Sequence, residues 1–142
     1  MLGPVHRLTG TNSDPNNNSL VVLVEVDGVR VLLAGDAQVE EQSELVAALG
    51  PERLRADVLK VAHHGSAYQD PDFLAAVHPR LALVSVGAGN PYGHPNLVML
   101  AGLRRDGARV LRTDLDGDLA AVVDGSGLEV VRRGLPAGAH PP

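Results

Sequence analysis

The sequence predicts an α/β fold in which strands and helices alternate along the chain. Runs rich in Val and Leu recur between stretches with helical spacing, and they give the predicted order ββαβαβαβββ. The run 81–86 is almost continuously apolar, as is typical of a strand covered on both faces. With 142 residues, of which 44% are hydrophobic, the chain has the size of one domain or part of one.

The first predicted element is a β-hairpin. Residues 1–19 are rich in Pro, Gly, Asn and Ser, so we expect an irregular lead-in there, with regular structure starting at residue 20. Two Val/Leu-rich strands, 20–26 and 29–34, are separated by Asp27-Gly28. This dipeptide favours a two-residue turn with positive φ at both positions, which predicts a tight hairpin.

Three helices and five further strands are predicted after the hairpin. The helices are 39–49, 71–77 and 95–106. Asp70-Pro71 provides an N-cap followed by proline at the first helical position, and Gly50-Pro51 should end the first helix. The strands are 57–62, 81–86, 108–112, 118–123 and 128–132. The tail 134–142 consists mostly of small residues and Pro, and it is expected to be disordered.

The composition narrows the classes of function. A net charge of −5 argues against a surface that attracts polyanions throughout, and 2% aromatic residues argue against base-stacking platforms. Because cysteine is absent, any metal must bind His, Asp or Glu. The longest apolar stretches fall far short of the roughly 18 residues of a membrane span, so we expect a soluble chain as given.

Polar residues suited to chemistry follow three of the predicted strands. They are Asp36 after the second strand, His63 and His64 after the third, and Asn90 and His94 after the fourth. In an α/β sheet, the carboxyl ends of the strands carry the active site. A carboxylate and neutral imidazoles gathered there are donors that divalent cations prefer.

Each of these residues also has a purely structural interpretation. Asp36 suits an ordinary turn after glycine, and His94 suits a loop before a helix. Adjacent residues on an extended segment point in opposite directions, so at most one of His63 and His64 would easily face the site. Lys60, the only lysine, could meet an anionic substrate or lie on the solvated side of its strand.

Five motifs form a series whose order and spacing are more specific than any member alone. They are Asn16-Asn17-Asn18-Ser19-Leu20-Val21, Leu33-Ala34-Gly35-Asp36, Ala56-Asp57-Val58-Leu59-Lys60-Val61-Ala62-His63-His64-Gly65-Ser66, Asn90-Pro91-Tyr92-Gly93-His94-Pro95 and Arg112-Thr113-Asp114-Leu115-Asp116-Gly117. The series resembles the metallo-β-lactamase-fold domain of the ComEC family of bacterial competence proteins, which take transforming DNA across the inner membrane. The resemblance covers roughly residues 16–124.

The resemblance implies an αββα sandwich that hydrolyses phosphodiesters with one or two divalent metal ions, zinc or manganese. It implies catalytic roles for Asp36, His63 and His64, and metal binding by Asp36, His63 and His94. Lys60, Ser66 and Asn90 are the expected substrate contacts. The expected substrate is DNA, held through its phosphates, and bound metal would offset the acidity of the protein. The resemblance also implies association with the bacterial inner membrane.

One departure from the family pattern limits this interpretation. The main ligand motif of the fold, His-x-His-x-Asp-His, occurs nowhere in these 142 residues, and a site with two metals needs roughly six protein ligands. We therefore expect 20–133 to be the C-terminal half of the domain, without its N-terminal half and the membrane channel segment. Two alternatives stay open: an inactive half-domain that serves binding or assembly, and a hydrolase of small esters or lactones.

Overall fold

A computed structural model of the chain describes residues 1–125 and 127–134. It contains seven strands and four α-helices, so the predicted α/β class is confirmed in the described part of the chain. In chain order these are β1 (Val22–Val26), β2 (Val29–Leu33), α1 (Val39–Leu54), β3 (Val58–Lys60), α2 (Pro71–Val77), β4 (Leu81–Val84), α3 (Leu97–Arg105), β5 (Arg109–Arg112), α4 (Thr113–Asp116), β6 (Asp118–Asp124) and β7 (Gly127–Arg133).

The main sheet has five strands in the order β1-β2-β3-β4-β5. Strands β1 and β2 are antiparallel and form the predicted hairpin, with Asp27 at φ 50° and Gly28 at φ 78° in the turn. From β2 to β5 all neighbours are parallel. The carboxyl ends of β2, β3 and β4 therefore lie at one edge of the sheet, where the candidate residues follow them.

Helices α1, α2 and α3 cover one face of this sheet. Fully buried aliphatic residues of the sheet, such as Leu32 and Leu59, pack there with Leu45, Phe73 and Leu100 of the helices. The opposite face is partly covered by the two-stranded antiparallel sheet β6–β7. There the buried residues Val58, Leu81 and Leu111 pack with Leu119, Leu128 and Val130.

Several boundaries differ from the predicted ones. Gly50 does interrupt α1, at φ 68°, but one further helical turn follows it because Pro51 tolerates the first position of a helix. Pro95 does not begin α3, since the side chain of Asn96 caps this helix by accepting a hydrogen bond from Met99 N. The lead-in contains a 3-10 helix, Asn16–Asn18, so regular structure starts earlier than residue 20.

The far end of the predicted tail, 135–142, lies outside the described residues. In the part of the chain that is described, no helix has both the length and the apolar character needed to cross a membrane.

Candidate active site

His63 and His64 lie in a tight turn directly after β3. Both have left-handed backbone conformations, with φ of 44° and 54°. The expectation that these neighbours lie on an extended segment and point apart is therefore wrong. Their ring centroids are 6.2 Å apart, and the ring of His63 lies 5.4 Å from that of His94. The three imidazoles, His63, His64 and His94, form what we call the histidine cluster.

Gly65 allows the two loops of the histidine cluster to meet. Its φ is +81°, and a Cβ atom at this position would lie 2.7 Å from Cβ of Pro95. The carbonyl oxygen of Gly65 accepts a hydrogen bond from Asn96 N at 2.7 Å. Glycine is required here both for the conformation and for the close approach, since any side chain would clash with Pro95, the residue after His94.

Asn90 organises the loop that carries His94. Its Oδ1 accepts a hydrogen bond from His94 N at 3.2 Å, and its Nδ2 donates to His94 O at 2.7 Å. Burial lowers the pKa of His94, and the neighbouring His63 and His64 lower it further. Because the neutral form of His94 is favoured, its ring can offer a lone pair. The predicted contact of Asn90 with substrate stays a prediction.

Asp36 follows β2 at the same edge and lies next to Lys60. The Nζ atom of Lys60 donates to the carbonyl oxygen of Gly35 at 3.1 Å, and His63 N donates to the same oxygen at 3.1 Å. Burial lowers the pKa of Lys60, and the carboxylate of Asp36 partly offsets this effect. The lysine thus joins the turns that carry Asp36 and His63, and it is not the fully solvated residue of the structural alternative.

Gln38 contacts the histidine cluster directly, although the sequence did not single it out. Its Nε2 lies 2.9 Å from Nδ1 of His63, and its Oε1 accepts a hydrogen bond from Asn12 Nδ2 at 3.1 Å. The available signal was its position, two residues after Asp36, where a helix start places it at the same sheet edge. Gln38 is only 2% exposed, so this contact is shielded from water.

Two further glutamines, Gln42 and Gln69, lie buried beneath the carboxyl edge and stabilise it with hydrogen bonds. Gln42 Nε2 donates to Ala37 O at 2.7 Å and to Gln69 Oε1 at 3.0 Å. Gln69 Nε2 in turn donates to Ala62 O at 3.2 Å. These buried amides connect the turn after β2 with the turn after β3. Ser66 is fully buried beside Gln69, so its predicted contact with substrate would need the turn to open.

The histidine cluster and Asp36 do not by themselves fit a metal ion. Their donors have the right chemistry, since neutral imidazole and carboxylate suit zinc or manganese. However, no group of three His, Asp or Glu side chains within 1–125 and 127–134 is arranged to hold one. The predicted set of Asp36, His63 and His94 is therefore not assembled as a metal site by these residues.

Comparison with known proteins shows the family of the chain. It is 38% identical over 118 residues to ComE operon protein 3 of Bacillus subtilis, a match that covers 80% of this chain and 15% of the relative. It is 35% identical to competence protein ComA of Neisseria gonorrhoeae, over 85% of this chain and 18% of the relative. The chain belongs to the ComEC family of competence proteins.

A third ComEC-family match agrees with this assignment. Recombination protein 2 of Haemophilus influenzae is 33% identical over 105 residues, which cover 73% of this chain and 13% of the relative. No family model matches the chain. The matched region spans only 13 to 18% of the length of these three relatives, so the chain corresponds to a small part of such a protein.

Proposed function

We propose that the chain is part of a metal-dependent phosphodiester hydrolase within a ComEC-type DNA-uptake protein at the bacterial inner membrane. The observation that carries this proposal is the histidine cluster at the carboxyl edge of three parallel strands. The ring centroids of His64 and His94 lie 6.2 and 5.4 Å from that of His63, so three imidazoles meet beside Asp36 and Lys60. The names of two relatives, competence protein ComA and recombination protein 2, support a role in competence, for which we propose DNA as the substrate.

The residues of this chain would act on a phosphodiester through donors and acceptors at the edge. Imidazole N–H groups and the ammonium of Lys60 can hold phosphate oxygens, and an imidazole lone pair can take a proton from attacking water. With few aromatic residues and a net charge of −5, binding would depend on phosphate contacts at this edge and not on base stacking.

The remaining metal ligands would come from polypeptide outside the described residues. We propose the N-terminal half of a metallo-β-lactamase-like sandwich for this role, next to the membrane channel segment of the family. The β6–β7 sheet supports a sandwich, because it already packs on the face opposite the helices. Val24 and Val26 on that same face stay 39% and 50% exposed, so a further layer has apolar surface to cover.

The first test is the genomic DNA upstream of the Met1 codon. We expect it to encode a His-x-His-x-Asp-His motif in or near the reading frame. An intact upstream region without that motif would contradict the proposed half-domain.

The second test is hydrolysis by the chain combined with the polypeptide encoded upstream. With manganese or zinc added, labelled single-stranded DNA, a small phosphodiester and a lactone are compared as substrates. Cleavage of DNA that chelation abolishes supports the proposal. Hydrolysis of the lactone alone would identify a small-molecule hydrolase, and no hydrolysis of any substrate would leave a binding or assembly module.

A further inference from the structure

The amino edge of the main sheet, opposite the histidine cluster, is rich in arginine. Three segments lead there from the ends of α1, α2 and α3 into β3, β4 and β5: 51–57, 78–80 and 104–109. They carry six of the 12 Lys and Arg residues, namely Arg53, Arg55, Arg80, Arg104, Arg105 and Arg109. Their acids are Glu52, Asp57 and Asp106, so the segments have a net charge of +3 in a chain whose net charge is −5. We call these three segments the arginine edge.

Backbone hydrogen bonds place charged residues in a row across the parallel strands. Asp57 N donates to the carbonyl oxygen of Arg30, in β2, at 2.8 Å. Arg80 N donates to Asp57 O at 2.9 Å, and Arg109 N donates to Arg80 O at 2.9 Å. Neighbouring strands lie about 4.8 Å apart, so the row from Arg30 to Arg109 extends over roughly 14 Å. A linear row of this kind suits a linear polyanion.

Most guanidinium groups of the arginine edge are exposed and have no partner inside the protein. Within residues 1–125 and 127–134, no side-chain hydrogen bond or ion pair is formed by Arg53, Arg55, Arg80, Arg104 or Arg109. Arg30 has a structural role instead, because its guanidinium donates to the last carbonyl groups of α1. Asp57 is also engaged, since its Oδ2 accepts from Arg30 N at 2.9 Å.

The carboxyl edge has the opposite charge. Its turns, 34–38, 61–70 and 85–96, contain two acids, Asp36 and Asp70, and neither Lys nor Arg. The nearest cation is Lys60, the last residue of β3. Affinity for a nucleic-acid backbone comes mainly from Lys and Arg that neutralise phosphates. The histidine cluster is therefore poorly equipped to hold a long strand by itself, whereas the arginine edge is well equipped to do so.

We propose that the arginine edge is a DNA-binding surface separate from the histidine cluster, which holds the phosphate backbone of a strand and takes no part in chemistry. Arginine suits this role because its planar guanidinium forms paired hydrogen bonds with phosphate oxygens. The choice of DNA as the polyanion rests on the proposed function. Anionic lipid headgroups also carry phosphate, but the three segments contain none of the exposed large hydrophobic side chains that anchor a protein in a bilayer surface.

The first test is binding of the full chain to a fluorescent oligothymidylate of about 20 nucleotides, measured by anisotropy without added metal at several salt concentrations. The double variant Arg80→Gln/Arg109→Gln should bind roughly 10-fold more weakly for each lost contact. The slope of log Kd against log salt should fall by about 0.7 for each lost contact. Arg80→Lys/Arg109→Lys, which keeps the charge, should keep the slope.

The matched control removes the same charge elsewhere. Arg7→Gln/Arg133→Gln changes two exposed arginines outside the arginine edge and should bind nearly as the wild type does. An equal loss of affinity in this control would show that binding follows net charge alone, and would overturn the proposal.

Amide NMR of the wild-type chain, titrated with the same oligothymidylate, maps the surface and needs no variant to fold. We expect the largest shifts at the amides of Arg55, Arg80 and Arg109. Shifts confined to the turns of the histidine cluster would overturn the proposal and leave the proposed function intact. Binding to phosphatidylglycerol vesicles without binding to the oligonucleotide would also overturn it, in favour of a membrane contact. Binding at the arginine edge in a chain that hydrolyses no DNA would support this proposal and contradict the proposed function.

Discussion

The two faces of the five-stranded sheet are covered to different extents. On the helix face, Leu32, Leu59 and Ala82 are completely buried under α1, α2 and α3. On the opposite face, β6–β7 covers parts of β3, β4 and β5, whereas Val24 and Val26 of β1 stay largely exposed. The helices therefore cover one face of the sheet completely and support the turns that carry the histidine cluster. The other face has exposed apolar surface on which a further layer can pack.

The largest predicted difference between the faces concerns side-chain truncation. Phe73 is fully buried, so Phe73→Ala should lower the free energy of unfolding by about 3 to 5 kcal/mol. Val26 is half-exposed, and Val26→Ala should cost less than about 1 kcal/mol. Equilibrium unfolding in urea measures both. Similar losses for the two variants would show that the faces do not differ in this way.

Loss of the buried hydrogen bonds of Gln42 should lower the free energy of unfolding by nearly as much. Gln42→Leu removes the partner of three buried groups, Ala37 O, Asp70 N and Gln69 Oε1, and so should destabilise the fold by about 3 kcal/mol. Hydrogen exchange at the amide of Asp70 should accelerate in the same variant. Unchanged exchange at this amide would mean that the hydrogen bonds of Gln42 do not restrain the turns at the carboxyl edge of the sheet.

The helix side should also contribute a pH dependence, through Glu41. Glu41 is 1% exposed, and burial raises the pKa of its carboxyl from the ordinary 4.5 to about 7, so the fold favours the protonated acid. The stabilisation is complete below about pH 4.5 and is lost as the pH rises to about 7. Relative to Glu41→Gln, the wild type should lose about 2 to 3 kcal/mol of unfolding free energy across this range.

Urea unfolding at several pH values checks this prediction, with Glu44→Gln on the same helix as the matched control. A difference between wild type and Glu41→Gln that does not vary with pH would contradict the buried, protonated acid.

The smallest expected change in unfolding free energy is for a substitution on the partly exposed face of the sheet. Val24→Thr should change the unfolding free energy by no more than about 0.5 kcal/mol, because Val24 is 39% exposed. Val21→Thr is the matched control, since Val21 is fully buried and a hydroxyl there should cost about 1 to 3 kcal/mol. If Val24→Thr costs as much as Val21→Thr, that face is already covered in the isolated chain.

The order of strands and helices was predictable from local sequence patterns, because each pattern depends on only a few neighbouring residues. Asp27-Gly28 fixed the hairpin turn, and Asp70-Pro71 fixed the start of α2. The positions of Asp36 and His94 at one edge followed from parallel strands. The predicted order was right apart from α4, a single turn that the polar sequence 113–116 did not signal.

The finer features of the edge were not predictable, because they depend on contacts between distant segments. The left-handed turn at His63 and His64 is stabilised by Gly65 against Pro95, about thirty residues away. The role of Gln38 depends equally on Asn12, which lies 26 positions earlier in the chain. A single sequence reveals which residues follow a strand, but it does not reveal which ring atom meets which partner.

In the proposed function, the histidine cluster at the carboxyl edge takes part in phosphodiester hydrolysis. The most direct measurement compares His64→Gln with His78→Gln in manganese-dependent cleavage of labelled single-stranded DNA, using the chain combined with the polypeptide encoded upstream. Loss of a catalytic imidazole should lower the cleavage rate at least about 100-fold in His64→Gln, while His78→Gln matches the wild type. Equal rates in all three proteins would contradict a role of the histidine cluster in hydrolysis.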